Sequence, residues 1–280
     1  MRLLNISSNY GDYSGLLYEA TKGDTCVVFI HGTASNFYEN SWVHTLGEKL
    51  INHNVSLLTC NSFGSNGINP WTKTGAVYET FENCVYDYDL WIGKLLKNKY
   101  KKIILLGHSL GTEKAVYYFS NSFYSNKITK IVLAGFSDSY QTEMNYLTNK
   151  NCISKAFTEA NKLVEEEKGN VILKTDENIH AGVLPKSASS FLNFFSENSN
   201  LKKCLYFNGD MEFYNKINVP IMSMISTGHE YINIPLFRAV DRLKQNRFYS
   251  HNILLDNTNH DFDGKNTEAA YHIAQFILNT

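Results

Sequence analysis

The chain alternates short, almost wholly apolar runs with longer segments in which apolar residues recur every three or four positions. "MRLLNIS" and "SGLLYEA" predict two opening strands, and "TCVVFIHG" a third that stays apolar until it meets His31-Gly32. In "ENSWVHTLGEKLINHN", Trp42, Val43, Leu46 and Leu50 recur at helical spacing, and "VSLLTCNS" predicts the next strand. A long helix is expected over Ala76 to Lys99, with Phe81, Val85, Tyr88 and Leu95 near one face. "KKIILLGHS" then reads as a strand, "GTEKAVYYFSNS" as a helix and "KIVLAGFSD" as a strand. Near the other end "VPIMSMIS" and "NILLDNT" are strands, and "TEAAYHIAQFILN" closes as a helix. Continuous aliphatic strands interleaved with amphipathic helices predict a mostly parallel sheet covered on both faces. The fold class is α/β, with right-handed crossovers.

The stretch from Asp138 to Asn215 breaks this rhythm. It holds the charged, helix-favouring "SKAFTEANKLVEEEKGN" and the aromatic "VLPKSASSFLNFFSENS", and it is far longer than a crossover needs. We expect residues 138–215 to form a mainly helical insertion over the end of the sheet, with 1–137 and 216–280 as the core. Insertions there border the crevice at the strand carboxyl ends, where ligands bind.

Composition narrows the choices. With 43% hydrophobic and 19% charged residues, the chain can bury a core. Its 26 basic and 27 acidic side chains nearly cancel, so nothing points to a nucleic-acid partner. Five cysteines (Cys26, Cys60, Cys84, Cys152, Cys204) are scattered and never paired as C-x-x-C, which fits a reducing compartment and argues against a disulfide scaffold or zinc site. No apolar run is long enough for a signal peptide or a membrane span. The expectation is a soluble cytoplasmic protein of unspecified oligomeric state.

The candidate chemistry starts at Ser109. Gly107-His108-Ser109-Leu110-Gly111 fits G-x-S-x-G, follows a strand and precedes a helix, the context in which a serine is raised on a tight turn as a nucleophile. The Leu110 amide then falls where an oxyanion would form, at the positive end of a helix. A second donor is expected from the loop after "TCVVFI", where Gly32 permits close approach and the Thr33 amide is the candidate. His31 is assigned a structural part in orienting that loop. A serine hydroxyl needs a base, and His260, just past the last strand, is placed to serve. The acid should lie between serine and histidine in sequence. Glu230 follows the penultimate strand and is preferred, with Asp210 in "YFNGDMEF" the alternative. Asp256, Asp261 and Asp263 do not match the spacing of a calcium loop, and no metal site is expected.

Together "HG", "GHSLG" and "NHDF", in that order and context, resemble the α/β-hydrolase superfamily. The resemblance covers most of the chain outside the insertion. It implies an eight-stranded, mostly parallel sheet, a Ser-acid-His triad and a lid over the site. "STGHEYINIP" and "GDMEFYNKI" further resemble a branch that includes fungal siderophore esterases. Its members typically carry Asp-Glu-Tyr where this chain has His229-Glu230-Tyr231. The usual acid position is therefore a histidine, so the role has moved to Glu230 or Asp210, or the triad is degraded.

The expected function is hydrolysis of a small-molecule carboxylic ester or thioester through an acyl-serine, with no cofactor. Two alternatives stay open: an acyltransferase or cyclising thioesterase using the same residues, and a non-enzymatic ligand-binding protein on the same scaffold.

Overall fold

The structure, a computed structural model, describes residues 1–176, 179–180, 184–228 and 230–279. From the amino end, β1 (Arg2–Ser8), β2 (Gly11–Tyr18) and β3 (Thr25–Ile30) precede α1 (Ser41–Ile51), β4 (Val55–Cys60) and α2 (Asn83–Leu96). Then come β5 (Lys102–His108), α3 (Leu110–Asn121) and β6 (Ile128–Ala134). Five helices follow before the sheet resumes: α4 (Ser139–Asn149), α5 (Ile153–Glu165), α6 (Ala188–Phe195), α7 (Lys202–Leu205) and α8 (Glu212–Asn215). Among them sits a short ribbon of β7 (Lys174–Asp176) and β8 (Ile179–His180). The chain ends with β9 (Ile221–Ser226), α9 (Leu236–Leu243), β10 (Tyr249–Leu255) and α10 (Asn266–Leu278).

Eight strands form one sheet in the order β1-β2-β4-β3-β5-β6-β9-β10. The β1/β2 and β2/β4 pairs are antiparallel, and the rest run parallel. This is the α/β arrangement expected from the pattern of the chain. Each central strand is buried on both faces, so its residues divide between two apolar layers. From β3, Cys26, Val28 and Ile30 join Tyr88, Trp91 and Tyr118 on one side. Val27 and Phe29 join Trp42 and Leu46 of α1 and Ile273 of α10 on the other.

Two elements differ from the sequence expectation. The helix foreseen from Ala76 begins only at Asn83, because much of residues 76–82 bonds elsewhere, the Ala76 and Val77 amides to Asn66 and Gly67 and other groups to the segment around α6. Ser187 N–H donates to the Val77 carbonyl, the Ser190 hydroxyl to the Glu79 carbonyl, and Phe81 N–H to Asn193 Oδ1. Both Asn193 and Asn200 donate to the Glu82 carboxylate. Backbone groups satisfied from outside have no call for a helical ladder. The second difference is α9, which the sequence reading passed over.

Candidate active site

Ser109 occupies the turn between β5 and α3 with φ 56° and ψ −131°. A positive φ costs a side-chain-bearing residue energy, and such strain persists only where the surroundings impose it. The two elbow glycines explain how. A Cβ on Gly111 would lie 2.0 Å from the Ile30 carbonyl oxygen, and one on Gly107 would lie 2.3 Å from the Gly111 oxygen. Helix α3 is therefore pressed against the end of β3, and the serine side chain, half-buried, faces a cavity of about 410 Å³. That is an ordinary size for a small-ligand pocket.

The oxyanion candidates lie on the same cavity wall. Leu110 is the first residue of α3, so its amide is one of the donors with no acceptor within the helix. Gly32 approaches so closely that a Cβ there would sit 2.8 Å from the Ser109 Cβ. His31, wholly buried, fixes the next peptide: its Nδ1–H donates to the Gly32 carbonyl at 2.8 Å. The Ser62 and Ser65 hydroxyls donate to its Nε2 at 2.9 and 2.7 Å. Burial, with the charge of Lys114 second, pushes the His31 pKa down to about 3, so the ring is neutral, as this bonding requires. In a trans peptide the N–H points opposite to the C=O. Tethering the Gly32 carbonyl to His31 thus turns the Thr33 amide away from it, and Thr33 lines the cavity. His31 is structural here, as the sequence reading assigned it.

His260 also lines the cavity, in the loop after β10. Asn259 and Asp263 tie that loop together. The Asn259 Oδ1 accepts from the Asp261 and Asp263 amides, and its Nδ2 donates to the Asp263 carboxylate. Of the three aspartates, Asp263 is thus used in turn bonding. His108, the variable residue of the elbow, braces the loop from below: its Nε2–H donates to the His260 carbonyl at 3.0 Å. Asp261 Oδ1 lies 3.8 Å from the same nitrogen. The ring of Tyr231 meets the His260 ring edge-on, centroids 4.6 Å apart. His260 Nε2 is buried without a hydrogen-bond partner, so it makes none to Ser109 in this conformation. Burial, followed by the charge of His108, pushes the His260 pKa down to about 3.

The proposed acids are not brought to His260. Glu230 is exposed, one residue before Tyr231, and Asp210 is exposed and accepts from Asn215. Among the described residues no carboxylate forms a hydrogen bond or ion pair with the His260 ring. Position alone suggested these two, and nothing in a sequence says which way an exposed loop carboxylate turns. His229 lies outside the described residues.

Several cavity residues escaped the sequence reading. Ser137, Ser139, Thr142 and Glu143 line it from the β6–α4 turn and α4, and Lys186 from the segment before α6, while the aromatic stretch "FLNFF", a pocket-lining candidate in the sequence, adds Phe194 and Phe195. Behind Ser137 and Ser139 lies Glu113, which accepts from both hydroxyls and from the Ser139 amide. Burial raises its pKa to about 8. Only the G-x-S-x-G position could have flagged His108, and no local motif marks the others. Among the described residues no helix is long and apolar enough to cross a membrane.

Comparison with known proteins gives one family match, over residues 10–232, to a family described as "Protein of unknown function (DUF1749)". No curated protein matches the chain. Among solved structures, Est1E from Butyrivibrio proteoclasticus bound to ferulic acid is similar at 14% identity and TM-score 0.67, covering 98% of each chain. A soluble variant of monoglyceride lipase from Saccharomyces cerevisiae is similar at 14% identity and TM-score 0.66, covering 100% of this chain and 96% of that one. The siderophore hydrolase EstB from Aspergillus fumigatus is similar at 15% identity and TM-score 0.65, covering 99% and 97%.

Proposed function

The chain belongs to the DUF1749 family and has the α/β-hydrolase fold, and from that premise we propose that it is a serine hydrolase of carboxylic esters or thioesters. The observation that carries the reading is the meeting of a half-buried serine on a strained turn and an unpartnered neutral imidazole nitrogen in one cavity. Closing the distance between them on substrate binding makes His260 the base that takes the Ser109 proton as Oγ attacks the acyl carbon. The Thr33 and Leu110 amides hold the tetrahedral oxyanion, a pair of donors each worth roughly 3–4 kcal/mol in the transition state. The alkoxide or thiolate leaves with the proton from His260, and water, activated by the same imidazole, releases the acid. In this reading Glu230 remains the assigned carboxylate by its place beside Tyr231. It supports the imidazolium across a gap rather than through a hydrogen bond.

A second reading takes its support from that gap. With no carboxylate among the described residues bonded to His260, the fold would serve as a ligand-binding protein whose triad has lapsed. A fluorophosphonate probe separates the two. Ser109 labelling, lost in His260→Ala and accompanied by ester turnover, supports the hydrolase. Folded protein that neither labels nor turns over esters or thioesters puts the binding reading first.

A further inference from the structure

The cavity carries two buried groups of opposite charge that the acyl chemistry does not use. Lys186 is 5% exposed and Glu143 4% exposed, and both line it. The Lys186 ammonium makes direct bonds to neutral groups: the Ala76 carbonyl at 3.0 Å and the Ser190 hydroxyl at 3.3 Å. It rests 3.7 Å over the Phe194 ring. An ammonium has three donors, so one is left over. Lys114, equally buried, is treated differently, paired directly with Glu79 at 2.5 Å. Lys186 feels the charges of Glu79 and Glu143, yet among the described residues its contacts are uncharged. Burial pushes its pKa down to about 8, which leaves it mainly protonated at neutral pH. Glu143 has a partner of its own, and a carboxylate carries several acceptor positions.

The chemistry of this lining discriminates between substrates. A long alkyl group would press against a buried cation and a buried carboxylate and offer neither a partner. A substrate carboxylate would meet Lys186 but be repelled by Glu143. A hydroxyl group is both donor and acceptor and suits both at once. The hydroxyls of Ser137, Ser139 and Thr142 extend the polar wall.

Resting on the hydrolase reading above, we propose that the site takes esters whose alcohol or acyl part bears hydroxyl groups, and that Lys186 and Glu143 are the residues that select them. The proposal is specific to the polar wall and adds nothing to the acyl-serine chemistry.

The test uses two pairs of esters matched in skeleton: 2,3-dihydroxypropyl butyrate against propyl butyrate, and ethyl 3-hydroxybutyrate against ethyl butyrate. Hydrolysis is followed by pH-stat on the whole protein, with fluorophosphonate labelling of Ser109 in the same preparation. In at least one pair the hydroxylated ester should have a kcat/KM higher by about tenfold or more, since a site built to hydrogen-bond a substrate hydroxyl rejects the analogue that lacks it. Lys186→Met and Glu143→Leu should each bring that ratio toward one. Each ratio is taken within one preparation, so a loss of folded fraction cancels. Labelled wild-type protein with ratios near one in both pairs overturns the proposal and leaves the hydrolase reading standing. A wild-type preference that survives both substitutions overturns the assignment to these residues. Absence of labelling and of turnover overturns both readings.

Discussion

Acidification should weaken the fold through His31 by an amount that can be worked out. His31 is wholly buried, neutral, and bonded at both ring nitrogens, and its pKa falls from 6.5 to about 3. In the unfolded chain a histidine titrates at about 6.5. Between those values the unfolded state binds a proton that the native state refuses. The stability contributed by a depressed pKa is therefore complete above about pH 6.5 and is lost as the pH falls toward the folded value. The slope is about 1.4 kcal/mol per pH unit, so moving from pH 7 to 5 removes about 2 kcal/mol at this one residue. Other groups titrate in the opposite sense. Burial raises the carboxyls of Glu113, Asp87 and Asp138 to about 8, 7 and 6, so the native state binds protons there first and gains stability on acidification. The measurement must therefore be a difference. Urea unfolding of wild type and His31→Asn at both pH values keeps the carboxyls common to the two proteins. The stability gap between them should shrink by about 2 kcal/mol at pH 5. Parallel pH profiles for the two proteins would refute a buried neutral His31.

Four further outcomes follow from the site. Glu230→Gln should lower kcat/KM less than about tenfold, against about 10⁴-fold when the hydrogen-bonded acid of a serine protease triad is made an amide; a loss of that larger size would mean the loop closes onto His260 during turnover. Because the His260 pKa is lowered to about 3, the base stays unprotonated as the pH falls, and kcat/KM should hold well below pH 6.5; an acid limb at the ordinary histidine value would contradict its burial. In Gly32→Ala the new Cβ would lie 2.8 Å from Ser109 Cβ and 3.3 Å from its Oγ, so kcat/KM should drop about 10²-fold through misplacement of the nucleophile; wild-type turnover would show that the loop yields freely. Lys114→Met leaves the Glu79 carboxylate buried without its partner, which should cost about 3–5 kcal/mol by urea unfolding; an unchanged midpoint and slope would count against the pair.

The sheet was legible because each central strand is apolar on both faces and each covering helix on one. These are periodicities a single sequence carries in full. Ser109, Gly107, Gly111 and Leu110 were legible for a related reason: an elbow is a local object, with its strand, turn and helix consecutive in the chain. Position after the last strand singled out His260. The acid was not readable in that way, since Glu230 and Asp210 are exposed and their placement depends on how loops settle against solvent. Lys186 and Glu143 were invisible for yet another reason. They matter because folding brings α4 and the start of α6 to one cavity, and neither neighbourhood contains a motif. The helix foreseen from Ala76 failed where tertiary partners outbid the local pattern.

The lacing of residues 76–82 to residues 186–200 has a consequence for how such a protein can be recombined. The Ala76, Val77 and Glu79 carbonyls, the Phe81 amide and the Glu82 carboxylate all find partners on the far stretch. A transplant of 138–215 alone into a sister scaffold would carry these partners away and leave the carbonyls, the Phe81 amide and the Glu82 carboxylate behind, polar groups at least partly buried and without a mate. The two stretches are one heritable part written in two places along the chain. Exchanges between relatives that respect the chain boundary at 138 would fail, whereas those that move both stretches together would keep Lys186 anchored over the pocket.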